Sequence, residues 1–221
     1  MIKAVVFDFD GLIIDTEFAL YEAFRKMLKL HASEFPIADY ASYIGTDSKA
    51  LYDFILEKTN GTMTLEEVIE TSSLLHKDNL KNPVARDGVE DYLKEAKSLG
   101  LKIGLASSSD RKWVTFFLKE LNLLEYFDII QTKDDVEKVK PDPALYQNVI
   151  HYFKIDPSEA IAFEDSANGS MAAIAAGLNC VIVPNKITEN LLFENIHLKL
   201  TSMKDKEFSD VVKVIESLYV S

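Results

Sequence analysis

Five short apolar runs, alternating with helical patterns, constrain this 221-residue chain more than any other feature. They lie at residues 2–7, 102–106, 127–130, 160–163 and 180–183. Each is too short for a buried helix and apolar enough for a strand covered on both faces. Apolar side chains at helical spacing predict helices over 89–99, 111–121, 143–153, 168–176 and 206–218. Gly100 and Gly177 stop two of these helices, and Pro143 opens a third. Strands alternating with helices imply βαβ units, hence a doubly wound α/β fold around a parallel sheet. One stretch breaks the alternation. After the first strand, residues 16–82 carry only helical patterns: one with Phe18, Tyr21, Phe24 and Leu28 on a shared face, and others over 48–58 and 65–80. The chain is therefore read as a core built from residues 1–15 and 83–221, with 16–82 inserted as an all-helical cap.

Charge narrows the partners. Twenty-four basic against 36 acidic side chains leave a net charge of −12, which repels phosphate backbones and anionic lipid. Neither a nucleic acid nor a membrane is expected as partner. A local cluster of donors or a metal can still reverse the field within one cleft and admit a small anion. The single cysteine, Cys180, excludes an intrachain disulfide and a multi-cysteine zinc site. No apolar run approaches the ~20 residues needed to span a bilayer, and the first residues show no secretory pattern. A cytoplasmic, monomeric protein is the expectation. His31, His76, His151 and His197 show no metal-ligand spacing, and Trp113 is read as a packing group.

In an open parallel sheet, ligands bind beyond the carboxyl ends of the strands. That is where the sequence places its polar groups. Asp8 and Asp10 follow the first strand, and Ser107-Ser108-Ser109 the second. Lys140 lies in the loop after the third, and Glu164-Asp165 follow the fourth. Carboxylates crowded in this way repel one another unless a cation balances them, and oxygen-only ligands favour Mg²⁺. With the charge neutralised by metal and lysine, an aspartate can attack phosphorus and form an aspartyl-phosphate. A second carboxyl two residues on can act as general acid, then as general base. Ser108 and Ser109 are read as strand-end hydroxyls or a cap for the next helix. Asp15-Thr16-Glu17 is read as capping oxygens and first-turn negative charge for the first cap helix.

These motifs together resemble the haloacid dehalogenase-like superfamily of phosphotransferases and hydrolases. Asp8-Phe9-Asp10-Gly11-Leu12 with Asp15-Thr16-Glu17 resembles the first motif, and Ser107 in Leu105-Ala106-Ser107-Ser108-Ser109 the second. Lys140-Pro141-Asp142-Pro143 is similar to the third motif, and Glu164-Asp165-Ser166-Ala167-Asn168-Gly169 to the fourth. All four occur in order, with a helical cap between the first two, as in the branch containing β-phosphoglucomutase and phosphoglycolate phosphatase. The resemblance implies a Rossmann-like core, Asp8 as nucleophile and Asp10 as acid/base. It implies Mg²⁺ held by Asp8, the main-chain carbonyl of Asp10, and Asp165, with Glu164 assisting through water or by orienting Lys140. Ser107 and Lys140 would grip the transferring phosphoryl group.

Phosphatase and mutase share this machinery, so the cap decides between them. The mutase pattern of that branch has a histidine early in the first cap helix and an arginine after the cap's glycine turn. This sequence has Leu20 at the first place and Gly45-Thr46-Asp47-Ser48-Lys49 at the second. Lys49, Lys77 and Lys81 are the lysines that could compensate, each read here as solvated. The expectation is a Mg²⁺-dependent phosphatase of small phosphorylated metabolites, with a phosphosugar mutase as the alternative. A non-enzymatic binding protein on the same fold is disfavoured, because no core catalytic group is missing.

Overall fold

The computed structural model describes residues 1–31, 33–41, 43 and 48–219. Its centre is β1 (Ala4–Phe7), buried along its whole length. On one side β1 pairs with β2 (Lys102–Ala106), which pairs with β3 (Ile129–Gln131). On the other it pairs with β4 (Ala160–Glu164), followed by β5 (Asn179–Ile182) and β6 (Leu198–Lys199). All these pairings are parallel, and the sheet order is β3-β2-β1-β4-β5-β6. The chain builds outward through β2 and β3, then returns to the far side of β1. That reversal puts a topological switch point beside the end of β1, where such sheets bind ligands.

Alternation along β1 sends side chains to two different cores. Val5 and Phe7 face a bulky layer in which Phe7 stacks on Phe163 with centroids 5.0 Å apart. Helices α5 (Val89–Ser98), α6 (Arg111–Glu120) and α9 (Phe208–Ser217) cover that layer. Ala4 and Val6 face a layer of smaller residues, with Ala106, Ala160, Ala162 and Cys180, beneath α7 (Ala144–Phe153) and α8 (Ala167–Ala175). The small side chains let α7 come close. A Cβ on Gly104 would lie 2.5 Å from Val149 Cγ1, so any larger residue there would push the helix away.

Between β1 and α5 the chain forms α1 (Thr16–Leu30), α2 (Ile37–Ala41), α3 (Ser48–Lys58) and α4 (Leu65–Asn79). These bury an aromatic cluster of their own around Tyr21, Phe24, Phe35 and Tyr40. Asp15 caps α1 by accepting from Phe18 N, and a reciprocal Thr64–Glu67 capping box starts α4. Among the described residues, no helix is long and apolar enough to cross a membrane.

Among the described α-helices and strands, α2 with five residues and β6 with two escape the sequence reading. Both are shorter than the window over which periodicity can be read. The third strand also sits later than 127–130, because the Asp128 side chain leaves the run to accept from Ile103 N at 2.8 Å. Asp110 caps α6, so neither Ser108 nor Ser109 fills the capping role considered for it, and Ser166 caps α8.

Candidate active site

The six singled-out residues converge at the switch point. Asp8 is the first residue beyond β1, and its N–H still donates to Phe163 O at 3.0 Å, so its side chain is fixed by the sheet. Lys140 reaches in from the loop before α7. Its Nζ donates to Asp8 Oδ1 at 2.5 Å, to Glu164 Oε1 at 2.6 Å and to Ala106 O at 2.7 Å. Tyr146 on α7 donates its hydroxyl to the same Glu164 Oε1 at 2.5 Å. A Cβ on Gly169 would fall 1.9 Å from the Glu164 carboxylate, so a residue without a side chain is needed opposite that buried group.

Asp10 is held from three directions. Its Oδ1 accepts from Thr16 Oγ1 at 2.8 Å and Trp113 Nε1 at 2.9 Å, and its Oδ2 from Ser109 Oγ at 2.6 Å. Asp165 Oδ2 accepts from Asn185 Nδ2 at 2.8 Å, whereas its Oδ1 is buried without a partner. Gly11 makes room for this carboxylate. At φ +81° it occupies the left-handed region, and a Cβ there would lie 2.2 Å from Asp165 Oδ2. Arg86 ties the loop after β1 to the loop after β5, donating to the carbonyls of Gly11, Val183 and Pro184.

Asp8, Glu164 and Asp165 each offer an oxygen within 4.8 Å of the others, all three residues buried. Burial, followed by neighbouring carboxylates, holds the Asp165 carboxyl well above the usual range. Asp8 is pushed up to about 8, with burial outweighing the attraction of Lys140. Lys140 moves upward as well, because Asp8 and Glu164 overcome its own burial. We take the direction of both shifts as one statement: the site carries more negative charge than one lysine balances. An all-oxygen donor set with an unpartnered buried oxygen fits a hard divalent cation.

Above these groups lies a cavity of about 290 Å³ lined by Asp8, Asp10, Glu17, Ser107, Ser109 and Lys140, among others. Ser107 Oγ accepts from Ser109 N at 3.0 Å, which fixes it at the rim. Glu17 was not expected here. Its Oε2 is buried without a partner, and burial together with Asp10 and Asp8 raises its carboxyl to about 8. The sequence shows it as a first-turn acid and as part of the first-motif resemblance, without a role in the site, and its position in α1 also satisfies the first-turn role. Trp113, Asn185 and Arg86 were also missed, since each reaches the site through tertiary packing, and Ser109, placed on the rim by the sequence, takes the unforeseen role of holding Asp10. Among the described residues, Lys49, Lys77 and Lys81 are not in the cavity lining: Lys49 pairs with Asp53, while Lys77 and Lys81 line a separate cleft against α6. Leu20 packs on the cap core, and residues 45–47 of the glycine turn lie outside the described residues.

The family model of haloacid dehalogenase-like hydrolases matches residues 5–183, and the chain belongs to that family. YhcW of Bacillus subtilis (strain 168), provisionally named as a phosphatase, is 45% identical over 210 residues, covering 95% of this chain and 96% of its own. A phosphorylated carbohydrates phosphatase of Thermotoga maritima is 30% identical over 181 residues, 80% of this chain and 82% of that protein. The crystal structure of β-phosphoglucomutase from Clostridium difficile superposes with a TM-score of 0.75 at 25% identity, covering all of both chains.

Proposed function

We propose that this chain is a Mg²⁺-dependent phosphatase of small phosphorylated metabolites, sugar phosphates among them, acting as a cytoplasmic monomer with residues 16–82 as its cap. The observation that carries the reading is Lys140 bridging Asp8 and Glu164 beside the unpartnered Oδ1 of Asp165. Asp8, the Asp10 carbonyl and Asp165 are the residues that would hold Mg²⁺. When bound, the ion would offset the carboxylate charge and draw a phosphate toward Asp8.

The residues then divide the chemistry. Ser107 and Lys140 grip the phosphoryl oxygens. Asp8 Oδ attacks phosphorus; its P–O bond forms as the bond to the ester oxygen breaks, and Asp10 delivers its proton to that leaving oxygen. A water then attacks phosphorus and gives its proton back to Asp10, which releases phosphate and frees Asp8. Glu164 touches neither substrate nor product. It orients Lys140, with Tyr146 fixing its other contact. Glu17 brings an unsatisfied acceptor to the cavity wall, suited to a hydroxyl of the departing alcohol.

Leu20 and the absence of a lysine of residues 16–82 from the cavity lining among the described residues favour water over a second sugar hydroxyl as acceptor. The test incubates the protein and Mg²⁺ with β-glucose 1-phosphate, with and without glucose bisphosphate, and with a panel of other monoesters. Free phosphate should appear from several monoesters, independent of the bisphosphate. Fast glucose 6-phosphate formation with little free phosphate would make the protein a mutase instead.

A further inference from the structure

We propose that Trp113 is a positioning residue for Asp10, aiming the proton-donating carboxyl by an indole hydrogen bond that is itself seated by the cap. Trp113 is the chain's one tryptophan and lies in the first turn of α6. Its backbone is pinned there, N–H to Asp110 Oδ1 at 2.7 Å. Its ring is pinned too, edge-on to Phe117 at 4.7 Å between centroids and against His76 of α4 at 5.7 Å. The indole N–H then has one direction to point, and at 2.9 Å it meets Asp10 Oδ1. His76 Nε2 lies 3.1 Å from Thr16 O, and the Thr16 hydroxyl donates to the same Oδ1 at 2.8 Å. Residues from α4, the start of α1, α6 and the loop after β1 thus close a ring around one carboxyl oxygen.

A packing role alone would be met by any large aromatic residue. The ring nitrogen is what singles out tryptophan: the ring is half-buried, and its N–H is directed inward onto Asp10. Without it, Thr16 and Ser109 still hold the carboxyl, so Asp10 stays in the site but loses one of its three restraints and is aimed less tightly. Proton delivery to the leaving oxygen, as the P–O bond breaks and Asp8 bonds phosphorus, becomes less efficient. Phosphate binding, which rests on Ser107 and Lys140, does not change.

The inference rests on the reading of Asp10 as general acid, and the experiment separates the two. Phenyl phosphate and p-nitrophenyl phosphate share a ring but differ in how much protonation the leaving phenol needs. Asp10→Asn is the reference and should lose far more kcat/KM on phenyl phosphate than on p-nitrophenyl phosphate. Trp113→Phe should show the same signature in weaker form: about a tenfold loss on phenyl phosphate and less than threefold on p-nitrophenyl phosphate. Inhibition by inorganic phosphate should stay within twofold of the parent. Because no other tryptophan exists, growth on β-(3-benzothienyl)alanine replaces only this N–H by sulfur in an isosteric ring, and the product should behave as Trp113→Phe does. Equal losses on both esters, or none, in the Trp113-altered proteins would overturn the positioning role while leaving Asp10 as the acid. An Asp10→Asn variant blind to the leaving group would overturn the reading beneath both.

Discussion

The rim of the sheet and the interior of the cap helices are built by opposite means. At the rim, carboxylates are fixed by charged or hydrogen-bonded partners, Lys140 on Asp8 and Glu164, and Thr16, Ser109 and Trp113 on Asp10. In the cap, aromatic rings pack on one another, with Tyr21 in contact with Phe35 and Tyr40 at 5.6 Å each. The Tyr21 hydroxyl turns inward to Phe35 O at 2.9 Å rather than toward the cavity. On the proposed reading, the rim carries the reaction chemistry and the helices over 16–82 supply shape and a hydrophobic cover. Substituting the rim should therefore abolish turnover with little loss of fold, and substituting the cap interior should do the reverse.

The largest effect belongs to the rim. Chelation with EDTA should remove activity and added Mg²⁺ restore it, and Asp8→Asn should lower turnover by at least ~10³-fold with the fold intact. Asp165→Ala should raise the Mg²⁺ concentration needed for half-maximal activity more than Ser107→Ala does. A folded Asp8→Asn protein of near-parent activity would remove the mechanism, and full activity in EDTA would remove the metal.

The contrast also explains what could be read before the structure. Strand ends are local features: an apolar run that stops at Asp8, Ser107 or Glu164 marks its own carboxyl end, and the fold then brings those ends together. Lys140 was legible through its motif, although its partners lie 24 and 132 residues away. Trp113 and Asn185 carry no such mark. Their roles depend on which way a helix turn or a loop faces after packing, and no spacing within the sequence encodes that. Glu17 is the instructive middle case. Its helix was read correctly, but an acid in a first turn serves the helix dipole in solvent as well as in a cavity, and only the packing of α1 against the core distinguishes the two.

The intermediate effect belongs to the cap. Phe24 is wholly buried and touches Phe35, Tyr40 and Tyr52 with ring centroids between 5.9 and 6.5 Å. Phe24→Ala should cost about 3–5 kcal/mol in cap stability. By hydrogen exchange, amides of α1, α3 and α4 should lose protection while those of β1 and β4 keep it. Equal loss in the sheet would mean that the cap and core unfold as one unit, contrary to the division proposed.

The smallest effect is electrostatic and joins the two regions. Asp8 on the rim and Glu17 on the first cap helix are both raised to about 8, chiefly by burial. In an unfolded chain both would titrate near the ordinary carboxylate range of about 4. Between those limits the metal-free folded protein binds more protons than the unfolded one, so its stability falls as pH rises. Two other sets of groups act elsewhere on the pH axis. His76 and His197 are lowered by burial, so their contribution rises with pH but is complete by about pH 6.5. Surface acids lowered by partners, such as Asp156 beside Ser158 and Asp210 beside Lys213, lose their contribution only in acid, below about pH 4. The window from pH 7 to 8.5 is thus left to the buried carboxyls Asp8, Glu17 and Asp165. Toward its upper end the Cys180 thiol, which burial also pushes up, acts in the same direction. The slope is up to about 1.4 kcal/mol per pH unit for each proton released. Urea unfolding in EDTA should show stability falling across this window. Saturating Mg²⁺ should flatten the fall, because a cation bound at Asp8 favours its ionised form in the folded state. Glu17→Gln, which removes one of these titrating groups, should flatten it in part without Mg²⁺. Stability that rises from pH 7 to 8.5 in EDTA would show that burial does not hold protons on these carboxyls.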